Sequence, residues 1–171
     1  MTRQAAKIFG IDTIGEYLAF CAEAVAELEK DQDNVLRAFA AILALNHMPD
    51  WLQHKLTVAQ RCAIGLTGSQ LGDPVKDYFK GRNADAKRVR EIANGFKHLR
   101  PVHSTQKVAG YGQGPYGIGP YGAPYLLIDL GDDKPANERW DVGFDLCKRV
   151  LGWWCAELSK INDLIGGNQN V

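Results

Sequence analysis

The chain has 171 residues, of which 46% are hydrophobic and 23% charged. A chain near 150 residues buries about 68–70% of its unfolded surface, so a single folded domain is expected and wholesale disorder is excluded. Twenty Lys and Arg balance twenty Asp and Glu, which excludes a generally basic nucleic-acid binder and an acidic tail protein.

The first nine residues carry Arg3 and Lys7 with no apolar stretch behind them, so no secretory signal is expected. No run approaches the roughly 18 apolar residues of a membrane span. The expectation is a cytoplasmic chain with no membrane partner. Helix one is predicted from Thr13 to Lys30, opened by a Thr13/Glu16 capping box. Ile14, Leu18, Cys21, Ala22, Val25 and Leu28 recur at helical spacing along it. Helix two is predicted from Asn34 to Met48. Val35, Leu36, Phe39, Ile42, Leu43 and Leu45 make it apolar nearly all round, which predicts a central position. Pro49 sets a boundary or kink, and Trp51 and Leu52 re-enter a short helix.

Thr57 is placed to cap a helix over residues 58–66, and Asp73-Pro74 pairs an N-cap with a first-turn proline. Asn83 caps a helix from Ala84 to Leu99, and Pro101 stops it. The period then changes. Residues 102–109 and 125–130 are predicted strands, and Gly131 to Pro135 a turn. Between the strands lies a Gly/Pro/Tyr tract with a five-residue repeat, Gly114-Pro-Tyr-Gly-Ile118 and Gly119-Pro-Tyr-Gly-Ala123. Asp141 is predicted to cap a final helix bearing Phe144, Val150, Leu151, Trp154, Leu158 and Ile161, and residues after Gly166 are predicted to fray.

The predicted fold is mainly α. It is an up-down helical bundle of four long helices plus short helices, with a two-stranded β-hairpin excursion between the last two long helices. The whole of 1–171 is one domain, and 101–140 is the hairpin and Gly-Pro-Tyr insertion.

Cys21, Cys62, Cys147 and Cys155 form no Cys-x-x-Cys pair and stand at no zinc-ligand spacing to a histidine. They read as small buried hydrophobes in a reducing compartment, and no metal or cofactor is expected. The Gly-rich tract is neither a P-loop nor a dinucleotide fingerprint, because no Lys-Ser/Thr follows it and it opens no helix after a strand.

Two clusters can carry recognition or chemistry. On the helix over 84–99, a step of 100° per residue puts Val89, Ile92, Phe96 and Leu99 on one face. Arg90, Asn94 and His98 then form an i, i+4, i+8 stripe opposite. Arg supplies a fixed planar charge, Asn a donor and an acceptor, and His a proton exchanged near neutral pH. The second cluster is His47, Asp50 and Trp51, where helix two ends. Tyr116 and Tyr121 in the tract can stack on a base or fit a partner surface.

The runs Asn46-His-Met-Pro-Asp-Trp51 and Ile92-Ala-Asn-Gly-Phe-Lys-His98, followed by strands and a Trp-bearing last helix, resemble a group of uncharacterised bacterial and phage-associated proteins. That group is similar in layout to the HEPN superfamily, helical bundles that include RNA-cleaving toxins and non-catalytic binding modules. The resemblance spans about residues 34–160. It implies His98 as the catalytic histidine of that superfamily and Asn94 as the polar residue of its motif. The arginine position of the motif is then Ala93, and Arg90 stands too far ahead, with seven residues between it and His98.

The resemblance therefore implies a non-catalytic HEPN-like binding or assembly module that pairs as a homodimer, with Tyr116, Tyr121 and the His98 stripe as contact surfaces. The alternative it implies is a metal-independent, toxin-like ribonuclease. His98 would be its general acid/base, and Arg90 or Lys97 would stabilise the phosphate. A third expectation is a nucleotide-binding pocket between His47/Asp50 and Asn94/His98. RNA or a nucleotide is thus the expected ligand.

Charge is segregated into blocks. Residues 11–34 hold seven acids and one base, 76–100 eight bases and three acids, and 129–145 six acids and two bases. A neutral chain of this kind can still present a local surface to an anion.

Overall fold

A computed structural model describes residues 10–66, 73–98, 103–109, 113–136 and 138–166. Among these residues seven helices and three strands follow in the order α1 (Ile14–Glu29), α2 (Val35–Asn46), α3 (Met48–Lys55), α4 (Val58–Ala63), α5 (Pro74–Phe79), α6 (Ala84–His98), β1 (Ser104–Val108), β2 (Tyr125–Asp129), β3 (Trp140–Val142) and α7 (Gly143–Gly166). The protein is mainly helical, with a small antiparallel sheet of order β1-β2-β3. Among the described residues no helix is long and apolar enough to cross a membrane.

The helix starts follow capping chemistry. Thr13 and Glu16 complete a reciprocal capping box on α1, and Thr57 and Gln60 do the same on α4. The Asn34 side chain accepts from Leu36 and Arg37 N–H at the start of α2, and Asn83 accepts from Ala86 N–H at 2.8 Å. One expected cap is different. Asp73 makes no capping bond to α5; its carboxylate turns to Lys76 at 3.0 Å. The Val75 N–H of α5 is met by Gln53 Oε1 of α3 at 3.0 Å, so the cap comes from another helix.

α1 packs on α2 and α7, and α2 and α6 pack on each other and on α7. Between them lie Leu28, Leu45, Met48, Val89, Leu146, Val150 and Trp154, all but sealed from solvent. Each such side chain stabilises the fold by about 1.5–3 kcal/mol. Tyr17 reaches across from α1, donating to Ala44 O at 2.8 Å, and stacks on Trp51 with centroids 4.5 Å apart. The expected all-round burial of α2 needs correction. Val35 and Leu36 in its first turn face solvent, 49% and 79% exposed.

The expected two-stranded hairpin is a three-stranded sheet. Residues 140–142 pair antiparallel with β2, Asp129 opposite Trp140 and Leu127 opposite Val142. Asp141 therefore lies in a strand and does not cap the last helix. Its carboxylate instead meets Arg149 at 2.6 Å, in the second turn of α7. β2 is buried over Tyr125–Ile128 because it is the central strand and backs onto α7. A short run buried on both faces carries no alternation to betray its neighbours. The cysteine expectation holds for half the set: all four are free, Cys21 and Cys147 are buried, and Cys62 and Cys155 are exposed.

The Gly/Pro/Tyr repeat is organised around Tyr125, whose hydroxyl donates to Ile118 O at 2.7 Å. The first glycine of each copy, Gly114 and Gly119, lies against the Tyr125 ring, where a Cβ would come within 2.5 Å of a ring or hydroxyl atom. The last, Gly117 and Gly122, turns the chain at positive φ in open space. The expected frayed tail after Gly166 and Tyr111 of the tract lie outside the described residues.

Candidate functional site

His47 joins α2 to α3 without a linker. Its N–H donates to Leu43 O and Ala44 O at the end of α2, and its carbonyl accepts from Asp50 and Trp51 N–H at the start of α3. Pro49, which has no N–H to lose, fits the first turn of α3. The bend leaves the imidazole exposed, with Nδ1 2.9 Å from Asp50 Oδ2. The other Asp50 oxygen receives Lys76 of α5 at 2.6 Å, and Lys76 also meets Asp73. The pair Asp50–Lys76 and the pair Gln53–Val75 thus dock α5 on α3.

That docking closes one side of a cleft of about 390 Å³. α2 and α3 contribute Asn46, His47 and Asp50. α5 and the turn after it contribute Lys76, Asp77 and Lys80, and α6 contributes Lys87, Arg90 and Asn94. The floor is apolar: Leu45, Phe79, Val89, Val150, Trp153 and Trp154. Phe79 packs edge-on against Trp154 at 5.0 Å, and the two tryptophan rings lie 4.3 Å apart. Cavities of about 300–1,000 Å³ with an apolar body and a few convergent polar groups are the usual form of a small-molecule site.

The electrostatics favour an anion. Lys76, Lys80, Lys87 and Arg90 face two carboxylates, Asp50 and Asp77. Lys76 is neutralised by Asp50 and Asp73, which hold its ammonium above the ordinary lysine value. Partial burial pushes the Asp50 carboxyl up, but Lys76 and His47 outweigh it and hold Asp50 below the ordinary carboxylate range. Lys87 has only a long pairing to Glu91 at 3.7 Å. Lys80 and Arg90 have no ion-pair partner among the described residues. Other basic residues are engaged elsewhere: Arg88 and Arg149 share Asp85 and Asp141, and Lys107 meets Asp33. The Trp154 indole Nε1 is also buried with no hydrogen-bond partner. A buried donor left unmet costs about 1–3 kcal/mol.

A second cavity, of about 290 Å³, adjoins the first. Asn46, His47 and Asn94 line both, and Phe39, Leu43, Ala93 and Phe96 complete the second. Phe39 and Phe96 meet edge to face with centroids 5.1 Å apart.

The structure therefore brings four sequence candidates, His47, Asp50, Arg90 and Asn94, to one cleft. Trp51 does not line it and serves the core by stacking on Tyr17. Tyr116 and Tyr121 stand fully exposed at the tip of the Gly/Pro/Tyr tract, which forms a separate pocket. The side chains of Lys97 and His98 lie outside the described residues. Sequence reasoning missed Lys76, Lys80, Lys87, Trp153 and Trp154 as site residues. The basic block over 76–100 was the signal for the three lysines; Trp154 read as one of the apolar positions of the last helix, and Trp153 was not singled out. Among the described residues no group of three or more His, Cys, Asp or Glu is gathered to hold a metal. No protein-family model, curated protein or solved structure matches the chain.

Proposed function

We propose that the protein is a non-catalytic binding module of HEPN-like, up-down bundle layout, working in the cytoplasm and taking a small anionic ligand, of the nucleotide or RNA-phosphate kind, in the His47–Arg90 cleft. The observation that carries this reading is the set of four cations around one concave apolar floor, with Lys80 and Arg90 lacking ion-pair partners among the described residues. An unpaired cation over a low-dielectric floor attracts an anion more strongly than one on open surface. The arrangement favours binding over turnover. His47 is tied to Asp50, whose other oxygen Lys76 engages, so the carboxylate is spent on an ion pair that docks α5 on α3.

Titration with inorganic pyrophosphate, followed by amide chemical shifts, tests the reading. Shifts should centre on α5 and α6 and weaken steeply with salt. Combining Lys80→Glu with Arg90→Glu should lower affinity at least tenfold. Absence of binding, or binding indifferent to that double reversal, refutes it. Assembly is the other half of the proposal. Exposed Tyr116 and Tyr121 support a homodimer through the tract, and light scattering of a Tyr116→Ser, Tyr121→Ser variant should show it dissociating.

A further inference from the structure

We propose that the ligand is a phosphomonoester carrying an aromatic ring: its phosphate sits among Lys80, Lys87 and Arg90, and its ring crosses the Asn46–His47–Asn94 ridge into the Phe39–Phe96 chamber. This rests on the anion-binding reading above and adds the second half of the ligand.

The two cavities differ in chemistry and share a wall. The larger carries the fixed charges; the smaller has no Lys, Arg, Asp or Glu in its lining and is faced by two phenyl rings. A bare inorganic anion uses only the first. Phe96 is 43% exposed on α6 beside an apolar hollow of about 290 Å³, so a ring entering there removes apolar surface from water on both partners. Its edge-to-face partner Phe39 is already placed to make a three-ring cluster, the arrangement aromatic side chains favour.

The ridge suits what must join the two halves. His47 and Asn94 are exposed, so a ligand can lie over them without displacing core atoms. Each Asn offers a carbonyl acceptor and an amide donor, and His47 a ring nitrogen, which match a polar linker or the polar edge of a heteroaromatic ring.

The test is a chemical-shift titration of the full chain with four probes: inorganic phosphate, methyl phosphate, phenyl phosphate and a nucleoside monophosphate. A ring-bearing probe should bind about 30-fold tighter than methyl phosphate, the gain for burying roughly 80 Å² of ring. It should shift the amides of residues 39 and 96. Phe96→Ala should cut the gain below threefold and leave methyl phosphate binding unchanged. Phe39→Leu is the second variant, read the same way. Preference for the nucleoside monophosphate over phenyl phosphate assigns the ring to a nucleobase; the reverse assigns a simple aryl group. Equal affinity for methyl and phenyl phosphate overturns the proposal and leaves the anion reading intact if pyrophosphate still binds. A ring gain that survives both phenylalanine variants also overturns it. If no phosphate or pyrophosphate binds, both fall together.

Discussion

Replacing Gly119 by Ala separates two contributions that the Gly/Pro/Tyr repeat combines. Gly117 and Gly119 have nearly the same φ, +78° and +82°. A Cβ at Gly117 meets nothing within 4 Å, whereas at Gly119 it lies 2.5, 2.6 and 2.8 Å from three atoms of the Tyr125 ring. Carbon pairs prefer about 3.5–4.0 Å, so the overlap approaches 1 Å on each. The ring cannot easily retreat, being 4% exposed and tied through its hydroxyl to Ile118 O. The left-handed backbone costs an L-residue about 1–2 kcal/mol. Reduced freedom of the unfolded chain returns about 0.4–1 kcal/mol. Gly117→Ala should therefore destabilise by about 1 kcal/mol. Gly119→Ala adds an overpacking penalty of about 1–3 kcal/mol, for a total near 3 kcal/mol. Urea denaturation of both variants measures the difference. Repeating Gly119→Ala in a Tyr125→Ala background should recover about 2 kcal/mol as coupling. Equal losses in the two glycine variants, or no coupling to Tyr125, refute the packing account of the repeat.

Other outcomes follow from the same structure. Asp50→Asn removes one of the two carboxylates facing the cleft and should strengthen pyrophosphate binding several-fold at low salt, with the gain fading as salt rises; calorimetry at two ionic strengths checks it, and weaker binding contradicts the role of Asp50 as a counter-charge. Leu36→Lys should change stability by no more than about 0.5 kcal/mol, since Leu36 is 79% exposed, while Leu45→Ala, at a sealed position, should cost about 2–5 kcal/mol; similar values would overturn the burial pattern of α2. Burial pushes the Asp85 carboxyl up, but Arg149 and Arg88 outweigh it and hold it below its ordinary value of 3.8. The resulting stabilisation is fully present above 3.8 and is lost as pH falls from there through the lowered folded value. Asp85→Asn should thus cost about 1 kcal/mol near neutral pH, and melting curves should show the gap to wild type closing in acid; a gap that persists there argues against the ion pair.

Helix starts were legible because they depend on a few adjacent residues. Thr13/Glu16, Thr57 and Asn83 act within four positions, and each caps its helix as expected; Gln60 completes a box with Thr57 that the sequence reading did not single out. The α5 start fails for the complementary reason, since Gln53 supplies its acceptor from 22 residues away. β3 was missed because three residues are too short to show a period, and Asp141 looks like a cap until its arginine partners are known. The repeat was visible and its cause was not. Glycine spacing reports a turn, but only the fold brings Tyr125 against Gly114 and Gly119.

The cleft divides along the same line. Arg90 and Asn94 are one helical turn apart on α6, so their common face follows from 3.6 residues per turn. His47 and Asp50 are three apart across a proline, and their contact is equally local. What joins the two pairs is the packing of α2 on α6 and the docking of α5 on α3, which no local pattern encodes. The charge blocks held the missing information in coarse form. The acidic block over 11–34 finds its described partners in Lys30, Arg37, Lys55 and Lys107, none of them from the basic block over 76–100. In the other acidic block, over 129–145, only Asp141 takes an arginine from the basic block among the described residues, Arg88. Lys80 and Arg90 are left without a described carboxylate, and both line the same cavity. Segregated charge that the fold does not cancel internally is an attraction left for something outside the chain, and the cleft sets its location and sign.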